Sequence, residues 1–308
     1  MKNITIFGGS GYVGGSFYDF FSQRKDLGNL NLISRTVKSK FQKKENINLI
    51  EFDLEKNFGE KLPENSDIVY YAVDNTDYSL YPKIINEKPS EKILNFVKIC
   101  KDFYKKSKII FVSSGAVYGY FDQKKKLHEK EIFKDIKEVS ENKKFYVQNK
   151  RNVEKVFNQL GVEGFEVSIA RCFTFIGPRI PLDKHFLIGN LIKNFIENKN
   201  ISVYSNKQVV RSYMYWQDMV KWLLNMEKTC SVKCPVFNIG SDKEINIDEI
   251  LNIFEEIGSK ITKRKNTNDE LDYYVPDISN IQNNLSLSYE QSFKTNLINT
   301  INELKNIK

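Results

Sequence analysis

Apolar residues follow two alternating patterns over the first half of this chain of 308 residues. Short β-branched runs, each bounded by glycine or polar residues, are typical of buried strands, and the longer stretches between them have the spacing of helices. The runs predict six strands, at residues 4–7, 30–34, 47–52, 67–72, 109–112 and 167–170. Because these strands alternate with helices, the sequence predicts a parallel, doubly wound α/β sheet.

A glycine-dense turn joins the first predicted strand to the first predicted helix. Its glycines are Gly8, Gly9, Gly11 and Gly14. Glycine tolerates positive φ, lets a ligand approach the backbone and lets the helix pack against the strand. The N–H groups at the start of the helix would then face an anion, so we predict that the turn binds the pyrophosphate of a dinucleotide. A tight turn without a ligand remains the alternative.

The strict alternation stops after residue 178. The helices predicted along the whole chain lie at residues 12–21, 86–104, 146–157, 186–196, 217–226, 247–257 and 290–305, with one more strand at 201–204. Residues 123–144 are charged and have no clean period, so we expect a surface excursion in which His128 is solvated. We predict a Rossmann domain at 1–171 and 208–240, and a smaller discontinuous domain at 172–207 and 241–308 that covers the open edge of the sheet.

The end of the second predicted strand carries information about the cofactor. Ser34 and Arg35 stand where an acidic residue would bind the adenosine ribose of NAD. An arginine beside a small hydroxyl residue can instead pair with a 2′-phosphate, and Lys38 could assist it. We therefore expect NADP(H) to be preferred, with NAD possible. An arginine that is merely solvated after a strand is the alternative.

Three residues have the spacing of an acid-base catalyst. Ser114 follows the fifth predicted strand, and Tyr146 and Lys150 are four residues apart on a predicted helix, so they share a face. A free phenol, with a pKa near about 10, is a poor catalyst at neutral pH, but an adjacent ammonium lowers that pKa. Ser114 would hydrogen-bond the reacting oxygen. Otherwise Tyr146 is an exposed aromatic residue at a helix start.

Composition excludes several other classes of function. The net charge is +8 and the pI about 9.0, but the lysines are scattered and no base-reading motif accompanies them, so we do not expect nucleic-acid binding. Four cysteines without a paired framework and two histidines argue against disulfides and against a metal site. With no leader and no apolar stretch of transmembrane length, we expect no membrane partner and a cytoplasmic location.

Several motifs together resemble those of the extended short-chain dehydrogenases that act on nucleotide sugars. They are the glycine turn; Asp53 and Leu54; Ser113 and Ser114; Tyr146, Lys150 and Glu154; Arg171, Gly177 and Pro178; and segments 211–218, 237–240 and 274–277. These motifs cover nearly the whole chain. Residues 171–190 are similar in particular to nucleotide-sugar 4-ketoreductases of the CDP-abequose and CDP-paratose synthase kind. Phe7 and Thr174 depart from the pattern, in which a hydroxyl residue and an asparagine are commoner.

The resemblance implies roles for further residues. Beyond the glycine turn, Ser34 and Arg35, those expected at the cofactor are Tyr12, Val13, Asp53, Leu54, Ala72, Asn86 and Phe173. Those expected at a nucleotide-diphosphate sugar are Ser114, Tyr146, Thr174, Asn190 and Arg211. Asn190 and Arg211 would hold the diphosphate, although Arg211 on its own is an ordinary surface residue. The resemblance also implies a homodimer formed through the helices of Tyr146 and Asn86.

The choice of reaction depends on the neighbours of the catalytic serine. Dehydratases of this family carry an Asp-Glu pair directly after it, and Gly115 and Ala116 stand there in this chain, which argues against dehydration. Arg35 favours NADPH-dependent reduction of the C4 keto group of a nucleotide-linked 4-keto-6-deoxyhexose. A 4-epimerase with tightly bound NAD remains open, as does a sensor or scaffold that binds NADP without turning it over.

Overall fold

The computed structural model describes residues 1–73, 88–119, 122–183, 186–205, 207–266, 270–289 and 291–306. Its strands are β1 (Lys2–Phe7), β2 (Gly28–Ser34), β3 (Ile47–Asp53), β4 (Phe58–Gly59), β5 (Ile68–Tyr71), β6 (Lys108–Ser114), β7 (Val167–Cys172), β8 (Phe175–Ile176), β9 (Ile201–Ser205), β10 (Gln208–Arg211), β11 (Met214–Tyr215), β12 (Val236–Ile239), β13 (Ile245–Asn246), β14 (Ile261–Asn266) and β15 (Leu271–Tyr274). Its α-helices are α1 (Tyr12–Ser22), α2 (Val37–Lys40), α3 (Glu91–Phe103), α4 (Glu141–Val162), α5 (Leu187–Ile196), α6 (Trp216–Asn225), α7 (Ile247–Glu256), α8 (Ser279–Leu285) and α9 (Phe293–Asn306).

Eight strands form the main sheet, in the order β12-β7-β6-β5-β1-β2-β3-β4. All neighbours are parallel except at one edge, where β4 pairs antiparallel with β3. The direction of winding reverses between β1 and β5, and in such sheets ligands bind beyond the carboxyl ends of the strands at that point. The prediction of a doubly wound parallel α/β sheet is confirmed.

Helices cover both faces of this sheet because successive strand residues point to opposite sides. On β1, Ile4 and Ile6 pack on the side of α1 and α6, whereas Phe7 belongs to the core on the side of α3 and α4. The ring of Phe7 is fully buried and lies 5.2 Å from the Phe96 ring and 6.3 Å from the Tyr104 ring. This aromatic packing explains why a phenylalanine precedes the first glycine.

Small sheets built from the later part of the chain lie outside the main sheet. They are a three-stranded sheet in the order β13-β10-β15 and the two pairs β11-β8 and β14-β9. The domain boundaries stay a prediction. By sheet membership alone, residues 208–215 belong with the small sheets, and the chain returns to the main sheet with α6 and β12.

Several element boundaries differ from the sequence prediction. The described part of the predicted helix 86–104 becomes helical only at Glu91, because Pro89 disfavours helical geometry in the residue before it and Ser90 is extended. Helix α4, which carries Tyr146 and Lys150, is longer than predicted and begins at Glu141. The short strands β4, β8, β11 and β13 were not predicted, since runs of two residues carry no period.

Candidate active site

Two glycines of the turn between β1 and α1 are required by the protein itself. Gly8 has a φ of 93°, and a Cβ there would lie 2.3 Å from the carbonyl oxygen of Ala72. A Cβ on Gly14 would lie 2.3 Å from the carbonyl oxygen of Gly9. The N–H groups of Gly8 and Gly9 both donate to the carbonyl oxygen of Ile33, at 3.0 and 2.9 Å, which fixes the turn to β2.

Gly11 has a different environment. It is exposed, its φ is −81°, and a Cβ there would meet only the carbonyl oxygen of Gly8, at 3.3 Å, among the described residues. None of the described side chains caps α1, and its first turn holds no acidic residue, so the leading N–H groups, at Tyr12 and Val13, can bind an anion. The turn therefore fits a cofactor pyrophosphate, with Gly11 as the glycine that leaves room for it.

Cations surround the connection between β2 and α2, where the adenosine end of a cofactor would lie. Arg35 is exposed, and its Nη1 lies 3.8 Å from Oε2 of Glu55. Lys92 also reaches Glu55, with Nζ 3.0 Å from Oε1. The hydroxyl of Ser34 accepts a long 3.4 Å hydrogen bond from the backbone N–H of Thr36. Ser34 and Arg35 thus lie at the carboxyl end of β2, where the carboxylate of Glu55 contacts both Arg35 and Lys92.

The lysine expected to assist Arg35 is engaged elsewhere. Lys38 pairs with Glu60. Sequence reasoning missed Lys40, whose Nζ donates to the carbonyl oxygen of Ser10 at 3.2 Å and so contacts the glycine turn directly. In the sequence, the only indication of Lys40 was its position one helical turn after Thr36. Its contact with the glycine turn depends on how α2 packs against that turn.

Other predicted cofactor residues lie at the same edge of the sheet. Asp53 ends β3, and its Oδ1 accepts a 2.9 Å hydrogen bond from the backbone N–H of Glu55. Leu54 is buried, and its carbonyl oxygen accepts a 2.7 Å hydrogen bond from Asn95. Ala72 extends β5 through its N–H, which donates to Phe7 at 2.8 Å. The predicted residue Asn86 lies outside the described residues.

The catalytic candidates come from β6 and α4. Ser114 is the last residue of β6, and its hydroxyl accepts a 3.2 Å hydrogen bond from the backbone N–H of Ala116, capping a 3₁₀ turn over Gly115–Tyr118. Tyr146 is 8% exposed and Lys150 is 3% exposed. The Nζ atom of Lys150 lies 5.8 Å from the centre of the Tyr146 ring. The Tyr146 ring and the Lys150 amine therefore lie near each other on one face of α4.

Lys150 is held by the strand that carries the serine. Its Nζ donates to the carbonyl oxygen of Val112 at 2.9 Å and lies 4.9 Å from the centre of the Phe111 ring. Cys172 is paired with Ser114 across β6 and β7, and its burial raises the pKa of the thiol to about 12, although the charge of Lys150 opposes this. An inert thiol and a fixed ammonium thus adjoin Ser114.

Two aromatic rings pack beside the turn that follows Ser114. Phe173 is buried, and its ring stacks on Tyr274 with centres 4.5 Å apart. A Cβ on Gly115 would lie 2.7 Å from both the Phe173 ring and the Tyr274 hydroxyl. Phe173, predicted at the cofactor, therefore packs directly against the turn that follows Ser114, and position 115 has no room for a side chain.

The other predicted substrate residues, Thr174, Asn190 and Arg211, lie outside the strands of the main sheet. Thr174 follows β7, and its carbonyl oxygen accepts a 3.0 Å hydrogen bond from Met214. Asn190 is exposed in the first turn of α5. Arg211 ends β10, where its guanidinium donates to the carbonyl oxygen and the carboxylate of Asp272, each at 2.7 Å. Arg211 is therefore not the ordinary surface residue that its sequence context suggests, and Asp272 was not foreseen.

Neither metal ligation nor membrane insertion is indicated by what the structure describes. Within the described ranges, no three His, Cys, Asp or Glu side chains are grouped to hold a metal ion. No described helix is long and apolar enough to cross a bilayer. The four cysteines, Cys100, Cys172, Cys230 and Cys234, are buried free thiols.

Comparisons with curated proteins find relatives of low identity. The chain is 25% identical over 204 residues to UDP-glucuronic acid decarboxylase 1 of Arabidopsis thaliana, a match that covers 65% of this chain and 46% of that protein. It is 23% identical over 204 residues to UDP-glucuronate 4-epimerase 1 of the same plant, covering 61% of this chain and 44% of the relative. The matched segments therefore span less than half the length of these relatives.

Solved structures share the fold over almost the whole chain. A UDP-glucose 4-epimerase of Thermotoga maritima with UDP-glucose superposes with a TM-score of 0.79 at 18% identity, covering 99% of each chain. A dTDP-glucose 4,6-dehydratase of Bacillus anthracis in complex with NAD gives a TM-score of 0.78 at 16% identity, covering 99% of this chain and 97% of that one. At such identities the likeness shows the fold alone.

The family of this chain is identified by a match to a family model, and not by the shared fold or by the distant relatives. The model of the NAD dependent epimerase/dehydratase family matches residues 4–240, a stretch that begins in β1 and ends just after β12. It contains the glycine turn, Ser114, Tyr146 and Lys150. This chain belongs to the NAD dependent epimerase/dehydratase family.

Proposed function

We propose that this chain reduces the C4 keto group of a nucleotide-linked 4-keto-6-deoxyhexose with NADPH. The observation that carries the proposal is the face of α4 that sets Tyr146 and Lys150 against β6, with Lys150 hydrogen-bonded to Val112 two residues before Ser114. This arrangement stands at the carboxyl ends of parallel strands, beside a glycine turn that fits a dinucleotide pyrophosphate.

Each of the three residues has a task that its surroundings support. Tyr146 donates a proton to the O4 oxygen of the sugar, and Lys150 favours the phenolate that this leaves behind because an ammonium nearby stabilises a negative charge. Ser114 hydrogen-bonds the same oxygen and steadies it. The cofactor, when bound, supplies the hydride.

The turn after Ser114 argues against a dehydratase. Elimination of water needs an additional acid and base, and the family places them where Gly115 and Ala116 stand here. A Cβ on Gly115 would lie 2.7 Å from the Phe173 ring, so an acidic side chain at that position would have to displace this ring. Reduction needs no such pair, since one proton and one hydride suffice.

The proposal includes a preference for NADPH over NADH. It is supported by Arg35 at the end of β2 and by Lys40 on the glycine turn, two cations that can bind a 2′-phosphate. In the same proposal, residues 1–171 and 208–240 bind the cofactor and 172–207 and 241–308 bind the sugar nucleotide. A homodimer would cover Leu94 and Phe103, apolar residues of α3 that are 46% and 42% exposed.

A 4-epimerase is the second candidate. Glu55 lies 3.8 Å from Arg35, and a carboxylate near the adenosine ribose is compatible with NAD. The solved structures with a similar fold include 4-epimerases, one of them in complex with UDP-glucuronic acid and NAD. Such an enzyme would use the same serine, tyrosine and lysine but would return the hydride to the sugar.

The experiment is an assay of purified protein with CDP-, dTDP-, GDP- and UDP-linked 4-keto-6-deoxyhexoses, each with NADPH or NADH. We expect net oxidation of NADPH with at least one of them. Tyr146→Phe should lower kcat by about 10²- to 10⁴-fold because the proton donor is lost, while NADPH binding is kept. Tyr70→Phe is the matched control, since Tyr70 is also buried but its hydroxyl donates to the carbonyl oxygen of Leu223 in the core.

Two outcomes would contradict the proposal. Interconversion of sugar nucleotides without net consumption of the cofactor, with NAD retained through purification, would establish the epimerase. Tight NADPH binding without turnover of any of these sugars would favour a sensor or scaffold.

A further inference from the structure

Three residues of α4, four positions apart, point toward β6. They are Tyr146, Lys150 and Glu154. Lys150 donates to the carbonyl oxygen of Val112 at 2.9 Å, and Glu154 accepts a 2.7 Å hydrogen bond from the hydroxyl of Ser113. Consecutive residues of the strand are therefore tied to consecutive turns of the helix, immediately before Ser114.

Arg171 of the neighbouring strand β7 completes this arrangement. Ser113 and Arg171 are paired across β6 and β7. The guanidinium of Arg171 binds Glu154 with two hydrogen bonds, Nε to Oε1 at 3.1 Å and Nη2 to Oε2 at 2.8 Å. Burial lowers the pKa of Arg171, but its hydrogen bonds and attraction to Glu154 outweigh burial and leave that pKa above its usual value. All three side chains are buried, and both carboxylate oxygens of Glu154 accept hydrogen bonds within the arrangement.

The same arginine also holds the segment that follows Ser114. Its Nη1 donates to the hydroxyl of Tyr118 at 3.1 Å and to the carbonyl oxygen of Glu129 at 3.2 Å. The Tyr118 hydroxyl donates to Oδ1 of Asn238 on β12 at 2.8 Å. Tyr118 ends the 3₁₀ turn that Ser114 caps. Both sides of Ser114 are thus connected to Arg171, one through Ser113 and Glu154 and the other through Tyr118.

We infer that Ser113, Glu154 and Arg171 are positioning residues that fix α4 along β6, so that the Tyr146 phenol and the Ser114 hydroxyl meet the same substrate oxygen. We call these three residues the strand–helix clamp. Apolar packing is non-directional and tolerates a slide of the helix, whereas hydrogen bonds of 2.7 to 3.1 Å do not. The inference rests on the proposed function, because it assumes that Tyr146 and Ser114 act together.

Ser113→Ala tests the clamp with the smallest change. It removes the bond between strand and helix but leaves the ion pair of Glu154 and Arg171 in place. We expect kcat to fall about tenfold, because a misplacement of about 1 Å costs up to about 100-fold in rate. The KM for NADPH should stay unchanged, since the glycine turn is not affected. Ser113→Thr keeps the hydroxyl and should restore most of kcat.

Ser168→Ala is the matched control. Ser168 is a fully buried serine of β7 whose hydroxyl donates to the carbonyl oxygen of Pro235 at 3.1 Å, away from the clamp. The Ser168→Ala variant also loses one buried hydroxyl, but this change should not affect α4. Equal reductions of kcat in Ser113→Ala and Ser168→Ala would overturn the inference, as would a Ser113→Thr variant no more active than Ser113→Ala.

Hydrogen exchange provides a measurement that needs no substrate. In Ser113→Ala, the amides of α4 should exchange faster than in the parent protein, because the helix has lost a bond to β6, and in Ser168→Ala they should not. If the parent protein turns over no sugar nucleotide, the proposed function fails, yet this comparison still decides whether the clamp fixes α4 along β6. Unchanged exchange in Ser113→Ala would contradict the clamp even if the enzyme were active.

Discussion

At the scale of single residues, the proposed preference for NADPH rests on the charges near Arg35. Glu55 lies 3.8 Å from Arg35 and 3.0 Å from Lys92, so one carboxylate faces two cations. Lys40 adds a third positive charge at the glycine turn. A phosphate can replace Glu55 on the exposed guanidinium, because an arginine fork binds phosphate oxygens in pairs.

Arg35→Ala should therefore weaken NADPH more than NADH. We expect the Kd for NADPH to rise about tenfold, the value of one charge-assisted contact, and the Kd for NADH to stay within about twofold. Cofactor fluorescence during titration measures both. Arg24→Ala is the control, since Arg24 is a similarly exposed arginine that pairs with Asp26 away from the turn. An equal loss for the two cofactors would show that Arg35 does not recognise the 2′-phosphate.

At the scale of elements, the turn between β1 and α1 separates two uses of glycine. Gly14 is needed because its Cα faces the backbone of Gly9, where a Cβ would come within 2.3 Å of the carbonyl oxygen. Gly11 has an ordinary φ of −81° and near-normal space around it. Gly14 thus supports the packing of the helix on the strand, and Gly11 leaves room for a ligand.

Gly11→Ala and Gly14→Ala should accordingly fail in different ways. Gly11→Ala should melt within a few degrees of the parent protein but lose about tenfold or more in cofactor affinity, because the methyl group occupies the path of the pyrophosphate. Gly14→Ala should lower the melting temperature markedly, since a contact with backbone cannot be relieved by a rotamer change.

Thermal denaturation and cofactor titration of the two variants distinguish these effects. Gly164→Ala serves as a reference for backbone strain without a clash, because Gly164 has a φ of 93° and no atom of the described residues lies within 4 Å of a Cβ there. It should cost about 1 kcal/mol. Normal cofactor binding by Gly11→Ala would show that the anion does not lie on this turn.

At the scale of the whole molecule, a partly buried carboxyl group attaches the last helix to β11. Glu303 of α9 accepts a 3.0 Å hydrogen bond from Tyr215 through Oε1. Its Oε2 and the hydroxyl of Tyr12 are buried without a hydrogen-bond partner among the described residues. Burial raises the pKa of Glu303, and the negative charge of Asp19 raises it further. The hydrogen bond from Tyr215 acts in the opposite direction, but the pKa stays above its ordinary value.

This raised pKa predicts a pH dependence of stability. The folded protein keeps the Glu303 proton to a higher pH than the unfolded chain does, so the free energy of unfolding falls as pH rises from the ordinary carboxyl pKa through the raised one. Glu303→Gln removes that loss and keeps the acceptor for Tyr215. We expect the variant to gain melting temperature over the parent at pH about 7 and little at pH about 4.

Glu256→Gln is the control for this comparison, because Glu256 is an exposed glutamate that pairs with Lys294 on the surface. It should show no such difference between the two pH values. A Glu303→Gln variant with the same offset from the parent at both pH values would contradict a raised pKa of Glu303.

The reach of sequence reasoning differed between parts of the site. Six strands of the main sheet and the helix face of Tyr146 and Lys150 were predicted because period and spacing are local properties of the chain, whereas the short strands β4 and β12 were not predicted. The contact of Lys40 with the glycine turn and the pairing of Arg211 with Asp272 were missed, because each joins residues that share no periodic pattern. Asp53, Ala72 and Phe173 were placed by family resemblance rather than by any local signal.

The sequence by itself determined the doubly wound sheet, the position of the glycine turn and the register of Tyr146 with Lys150, since strand and helix periods and glycine's backbone freedom are properties of short segments. Only the tertiary structure decided which glycine leaves room for a ligand, which cations surround Arg35, and how Glu154 and Arg171 fix α4 against β6. Those features depend on distances between residues far apart in the chain, and such distances are set by packing of the whole molecule.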